Sequence, residues 1–133
     1  MSIIRRLLEY VQTRPGRVLA LAWPVAFIVT HLPRFDDPGD EPITRLPLDK
    51  VVHFGAYAFL GWLLTRVLLA RLPTAPAVAI TILLFAGYGA LDEVTQPPIG
   101  RTADPWDFVA DVAGAVTGAL VASLTASRSA EVA

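Results

Sequence analysis

Polar residues recur at helical spacing inside three otherwise apolar stretches of this chain. The first two sets step by four residues: Asp49, His53, Tyr57, and Tyr88, Asp92, Gln96. The third set steps by three or four residues and passes from acids to glycines: Asp104, Asp107, Asp111, Gly114, Gly118. Residues three or four apart share one face of a helix, so each set forms a single stripe. Histidine and carboxyl groups in such stripes could transfer protons or bind a cation.

Ionisable residues within an apolar span are the strongest candidates for function. A charged side chain costs free energy there unless it faces a partner or a water-filled cavity. We therefore assign functional roles to His53, Glu93 and Asp111. Arg101 is the only cation in its loop and faces several acids, which suits it either to holding a phosphoryl oxygen or to a structural salt bridge.

The other polar and aromatic residues have purely structural interpretations as alternatives. Asp49 and Asp104 stand where helix N-caps are expected, and Asp107 could complete a capping box. Gly114 and Gly118 form a GxxxG pattern, which lets a neighbouring helix approach closely. Aromatic residues of the spans suit the membrane interface or the core: Tyr57, Trp62, Tyr88, Trp106.

The stretches that carry these residues predict a membrane protein. Of the 133 residues, 54% are hydrophobic and 17% are charged, and the mean hydropathy is +0.53. These values are more apolar than those of an ordinary soluble domain. Four helical spans are predicted: 18–32, 51–70, 77–94 and 104–124. Before them, apolar residues at helical spacing alternate with Arg5, Arg6 and Glu9, as in a helix on a membrane surface. The predicted fold is an all-α bundle of four transmembrane helices with a short N-terminal amphipathic helix.

Prolines and polar residues mark the boundaries between these elements. We divide the chain into an amphipathic N-terminal segment (1–16), a four-helix transmembrane domain (17–125) and a flexible C-terminal tail (126–133). A break is expected at Pro15-Gly16, and residues 34–48 should form a solvated polar loop. A signal peptide is the alternative for the first span, but no small-residue cleavage site follows it. The absence of cysteine excludes disulfides, thiolate nucleophiles and cysteine-bound zinc.

Basic residues are distributed unequally between the two sides of the predicted bundle. Seven lie on the side of the termini, and four lie on the other side: Arg34, Arg45, Lys50, Arg101. The positive-inside rule then places both termini in the cytoplasm, with the protein in the inner membrane. Ten of the twelve acids fall on or near the extracytoplasmic side, so a site built from them opens outward.

Three ordered motifs also resemble those of a known family. Segments 49–61, 92–96 and 101–114 read DKVVHFGAYAFLG, DEVTQ and RTADPWDFVADVAG, and they are similar to the motifs of VanZ-like membrane proteins across residues 46–120. Such proteins have four membrane helices and are named after a member associated with low-level teicoplanin resistance. The family has been proposed to belong to a superfamily of lipid-acting enzymes that includes phosphatidylserine synthases. In this chain Asp111 stands where the pattern usually has asparagine.

The resemblance implies chemistry on lipid-linked phosphate esters. We expect a cell-envelope enzyme that acts at the extracytoplasmic leaflet on a phosphate or pyrophosphate linkage of a polyprenyl lipid or phospholipid. The expected catalytic residues are His53, Glu93, Asp107, Asp111. The expected substrate-binding residues are Lys50, Tyr57, Gln96, Arg101. His53 would be a base or nucleophile oriented by Asp107 or Asp111, and Glu93 would protonate a leaving group.

A divalent metal held by His53, Glu93, Asp107 and Asp111 is chemically reasonable, although their spacing specifies no particular metal. Two non-catalytic functions could use the same residues. A binding protein would sequester an antibiotic, a peptidoglycan precursor or a lipid head group in the same pocket. A proton or ion pathway would need ionisable residues across the membrane, and the cytoplasmic halves of the spans offer only Arg66. The expected partner is thus a membrane lipid or lipid-linked envelope precursor, not a nucleic acid, and the oligomeric state is not specified.

Overall fold

The computed structural model describes residues 2–31, 46–95, 97–99 and 104–131, and these form helices without any strand. The helices are α1 Ile3–Thr13, α2 Pro15–His31, α3 Leu46–Leu69, α4 Thr74–Thr95 and α5 Pro105–Glu131, with a 3₁₀ turn at Pro97–Ile99. The predicted all-α class is therefore confirmed. Of the polar loop predicted over 34–48, residues 34–45 lie outside the described residues, as do Gln96 and Arg101. Residues 46–48 are helical, so the prediction of a loop there is wrong.

Three of the helices are long and apolar enough to cross a membrane: Lys50–Leu69, Thr74–Thr95, Pro105–Ala126. Each has 20 or 22 residues, which matches the roughly 20 residues needed to cross a hydrocarbon core about 30 Å thick. These spans coincide with the second, third and fourth predicted ones. The apolar part of α2, Pro15–Val29, is shorter. The structure thus supports a membrane protein with three such spans, and the predicted count of four is not confirmed.

The boundary between α1 and α2 lies at Arg14 and not at the predicted Pro15-Gly16 break. Ser2 caps α1 by accepting a hydrogen bond from the Arg5 amide. Pro15 is the first residue of α2. Proline suits this position because its fixed φ is helical and its missing N–H would have no partner in the first turn. Pro24 lies inside α2.

Helices α3 and α5 pack closely because glycines line their contact. A methyl group added at Gly114 would meet the carbonyl oxygen of Phe54, and one added at Gly118 would meet that of Ala58. Gly61 faces the backbone of Ala115 in the same manner, with 2.8 Å between its added Cβ and the carbonyl oxygen. The close approach predicted from the GxxxG pattern is confirmed. It brings the polar stripes of the two helices face to face.

Aromatic side chains fill the space between α2, α3 and α4. The Trp23 ring of α2 stacks on Phe85, with 5.1 Å between ring centroids, and meets Tyr88 edge-on at 5.0 Å. Tyr57 of α3 packs against both of these α4 rings. Such pairs bury large apolar areas, so α2 is part of the same bundle as the three longer helices.

Two helix ends differ from the predicted ones. Helix α3 begins at Leu46, so Asp49 lies in its first turn and the N-cap predicted for Asp49 is wrong. Pro47 is accommodated because proline is tolerated in the first turn of a helix. Helix α5 continues to Glu131, so most of the predicted flexible tail is helical. Residues 125–131 contain neither glycine nor proline that would stop it.

Candidate functional site

His53 lies between two carboxyl groups of α5 at the centre of a polar cluster. Its Nδ1 is 2.9 Å from Asp111 Oδ1, and its Nε2 is 3.8 Å from Asp107 Oδ2. All three side chains are buried. Asp107 and Asp111 are one helical turn apart, which is why their carboxyl groups reach both edges of one imidazole. The structure thus brings together three of the four predicted catalytic residues.

Lys50 lies one turn before His53 on α3 and forms the more exposed edge of the cluster. Its Nζ donates a hydrogen bond to Asp104 Oδ2 at 2.5 Å and another to Asp107 Oδ1. The Lys50 side chain is 20% exposed and that of Asp104 is 37% exposed, whereas Asp107 is buried. Predicted to bind substrate, Lys50 is engaged here in neutralising two acids of α5.

Asp104 caps α5, as predicted, and joins it to the end of α4. Its Oδ1 accepts a hydrogen bond from the Trp106 amide at 2.9 Å, while its own amide donates to Glu93 Oε2 at 2.6 Å. Glu93 thereby takes the role in the capping box that was one structural alternative for Asp107. The Asp107 carboxylate pairs with Lys50 instead.

Several buried oxygen atoms of the cluster have no hydrogen-bond partner within the described part of the chain. They include the hydroxyls of Tyr57 and Tyr88, Glu93 Oε1 and Asp111 Oδ2. Leaving a buried polar group unsatisfied costs about 1–3 kcal/mol, so such atoms usually mark bound water, an ion or a ligand. Tyr57, predicted to contact substrate, therefore has a hydroxyl available at this site.

Asp92 belongs to the cluster, although it was not among the predicted catalytic, substrate-binding or metal-binding residues. It is buried near the end of α4, and one ligand atom each of His53, Asp92 and Asp111 lie within 4.8 Å of one another. Of the predicted metal ligands, this group retains His53 and Asp111 but replaces Glu93 and Asp107 with Asp92. The Tyr88, Asp92, Gln96 spacing was the signal for it, because Asp92 shares the inward face of α4 while Glu93 follows one position later.

The buried polar groups at the other ends of α3 and α4 are satisfied by hydrogen bonds within the bundle. Thr65 of α3 donates to Thr81 Oγ1 at 2.9 Å, and Thr81 donates to the Ala77 carbonyl at 3.0 Å. A surface pocket of about 280 Å³ is lined by Arg66, Leu69, Ala70 and Ala126. Neither feature joins the His53 cluster. The predicted substrate contacts of Gln96 and Arg101 remain predictions, because both residues lie outside the described ranges.

The chain matches the family model described as VanZ/LLP1 over residues 7–126. No match was found among curated proteins or among solved structures. The matched range covers nine-tenths of the sequence and includes every residue of the cluster around His53. It also includes the three helices that are long and apolar enough to cross a membrane. The chain therefore belongs to the VanZ/LLP1 family.

Proposed function

We propose that this protein is a lipid-modifying enzyme of the cell envelope. It would act at the extracytoplasmic leaflet on a phosphate or pyrophosphate linkage of a polyprenyl lipid or phospholipid. The observation that carries this proposal is the buried imidazole of His53 held between two carboxyl groups. A histidine oriented by a carboxylate is the usual arrangement for proton transfer to or from a hydroxyl nucleophile.

The two nitrogens of His53 have distinct roles in this proposal. In the tautomer consistent with the 2.9 Å contact, Nδ1–H donates to Asp111, which fixes the ring orientation. Nε2, on the side of Asp107, then takes the proton of an acceptor hydroxyl or water. As that oxygen bonds to phosphorus, the bond from phosphorus to the leaving oxygen breaks, and Glu93 donates a proton to the leaving group.

Cations and amide groups at the edge of the cluster would hold the phosphoryl oxygens. Lys50 is the partly exposed cation nearest to His53 in the described structure, and Arg101 would add a planar, permanently charged donor. Gln96 would position the acceptor hydroxyl. Large apolar side chains are exposed beside this edge, among them Val51 and Trp106. They offer the acyl or prenyl chain of a lipid a surface next to the reacting head group.

We further propose that α2 is a fourth span and that both termini are cytoplasmic. Its 17 residues lie at the short end of the range of about 17–25 that crosses a membrane, and its Trp23 ring packs against α4. With four spans, the seven basic residues on the same side of the bundle as the termini lie inside, and the His53 cluster faces outward.

Cysteine labelling tests this orientation, and the chain has no native cysteine to interfere. Single cysteines at Thr13, Pro38, Thr74 and Thr102 should react with a membrane-impermeant reagent on intact cells only at positions 38 and 102. After permeabilisation all four should react, which controls for access. Labelling of position 74 on intact cells would reverse the orientation and place the site on the cytoplasmic side.

Comparative lipid profiling tests the proposed activity. Cells that express the wild type should differ from cells that express His53→Ala in one lipid-linked phosphate species, because only the wild type consumes it. Thr65→Val is a matched control, since it changes a buried polar residue on the same helix but far from the cluster. Its lipid profile should equal that of the wild type. Identical profiles for wild type and His53→Ala would favour the sequestering function.

A further inference from the structure

We infer that His53, Asp92 and Asp111 form a binding site for one divalent transition-metal ion, with Zn²⁺ as the best fit. The three residues come from α3, α4 and α5 and place one ligand atom each within 4.8 Å of the others. Zinc bonds nitrogen and carboxylate oxygen at about 2.0–2.2 Å, so tetrahedrally arranged ligand atoms lie about 3.3–3.6 Å apart. Ligand atoms that are now up to 4.8 Å apart would have to move closer by about 1 Å to close around an ion.

A second observation comes from oxygen atoms beside these ligands. Asp111 Oδ2 and the Tyr57 hydroxyl are buried and have no hydrogen-bond partner in the described structure. The Tyr57 hydroxyl lies beside the Asp111 carboxyl group, without good hydrogen-bond geometry to it, and interacts with the charge of Asp92. A bound ion with its water ligands would satisfy both oxygens, as nearly all buried polar atoms in folded proteins are satisfied.

The ligand types select the class of metal. An imidazole nitrogen suits zinc and related transition metals, whereas magnesium and calcium prefer oxygen ligands alone. Three protein ligands leave a further position for water. Asp107 stands 3.8 Å from His53 Nε2, on the side of the ring opposite Nδ1, where a carboxylate commonly orients a metal-bound histidine. The ion would then take the place of the proton between His53 Nδ1 and Asp111, and the ring would keep its proton on Nε2, toward Asp107. In that form Nε2 cannot accept a proton, so the metal-bound state and the proton-accepting state of His53 exclude each other.

Zinc binding to the purified full chain in detergent tests this inference. After chelator treatment and equilibrium dialysis against Zn²⁺, elemental analysis should find about one zinc per chain, and zinc should raise the unfolding midpoint. Asp92→Asn should weaken zinc binding about 10-fold or more, since even residues that only orient metal ligands have effects of that size. Glu93→Gln is the matched control, because it removes one charge at the next position but no ligand. Its zinc affinity should remain close to that of the wild type.

These measurements distinguish a zinc site formed by His53, Asp92 and Asp111 from non-specific attraction of zinc to acidic residues. Equal weakening in Asp92→Asn and Glu93→Gln, or no zinc binding by a wild type that circular dichroism shows to be helical, would overturn the inference. If Asp92→Asn does not fold, Asp111→Asn supplies the same test with the asparagine usual in VanZ-like motifs. The measurement uses no substrate. Zinc binding without lipid turnover would therefore support the metal site and contradict the catalytic proposal. Lipid turnover by chelator-treated protein that binds no zinc would support the catalytic proposal and contradict the metal site.

Discussion

Turnover of the lipid substrate should fall by about 10²-fold or more in His53→Ala, because the variant loses the group proposed to take the acceptor proton. Lipid binding and folding should persist, since the alanine leaves the contacts of Lys50 with α5 in place. The measurement uses purified protein in detergent or nanodiscs with polyprenyl-phosphate and phospholipid substrates. Release or exchange of the head group is the readout.

Two further variants serve as comparisons that distinguish a loss of catalysis in His53→Ala from a loss of lipid binding. Arg101→Ala should weaken binding and turnover together, because a charge-assisted contact to phosphate forms in both the ground state and the transition state. Thr65→Val, near the other end of α3, should leave turnover close to that of the wild type. A wild type that binds one lipid tightly but turns over none, together with a His53→Ala variant altered only in affinity, would replace catalysis with sequestration.

The ion pair between Lys50 of α3 and Asp107 of α5 should stabilise the folded protein. Lys50→Met should lower the free energy of unfolding by about 3 kcal/mol, because it leaves the buried Asp107 carboxylate without its ammonium partner. Removing one member of a buried ion pair costs about 3–5 kcal/mol, and the partial exposure of Lys50 places the expected loss at the lower end. Titration of the purified protein with a denaturing detergent, followed by circular dichroism, measures it.

A double variant separates lost charge compensation from lost packing. Adding Asp107→Asn to Lys50→Met should recover most of the stability, since a neutral amide needs no counter-charge. Arg66→Met is the matched control: it removes the cation near the other end of α3, which lies over the Trp62 ring and bonds the Gln12 carbonyl. Its effect should stay near the 0–1 kcal/mol typical of exposed charged contacts. A double variant less stable than Lys50→Met would mean that Asp107 stabilises the bundle through other partners.

The apolar runs of the chain were sufficient to predict its class and the positions of the three spans, because burial in lipid depends on local composition. Local chemistry also predicted the Asp104 cap and the close approach at Gly114 and Gly118, which are confirmed. The ends of α3 and α5 were not predictable in the same way. Helix α3 has a proline near its start, and α5 has a polar end without glycine or proline. Both sequences are compatible with either helix or loop.

Which acids meet His53 was decided only by the tertiary structure. From spacing alone, Glu93 and Asp92 were both candidates on α4, and Asp107 could have capped its own helix. The rotation of α4 turns Asp92 toward His53 and directs Glu93 to the Asp104 amide. The glycine contacts bring α5 close enough to α3 for Asp107 to reach Lys50. Apolar spans that contain ionisable groups imply that these groups must find partners. Helix rotation and axial offset, which depend on packing between distant segments, select those partners.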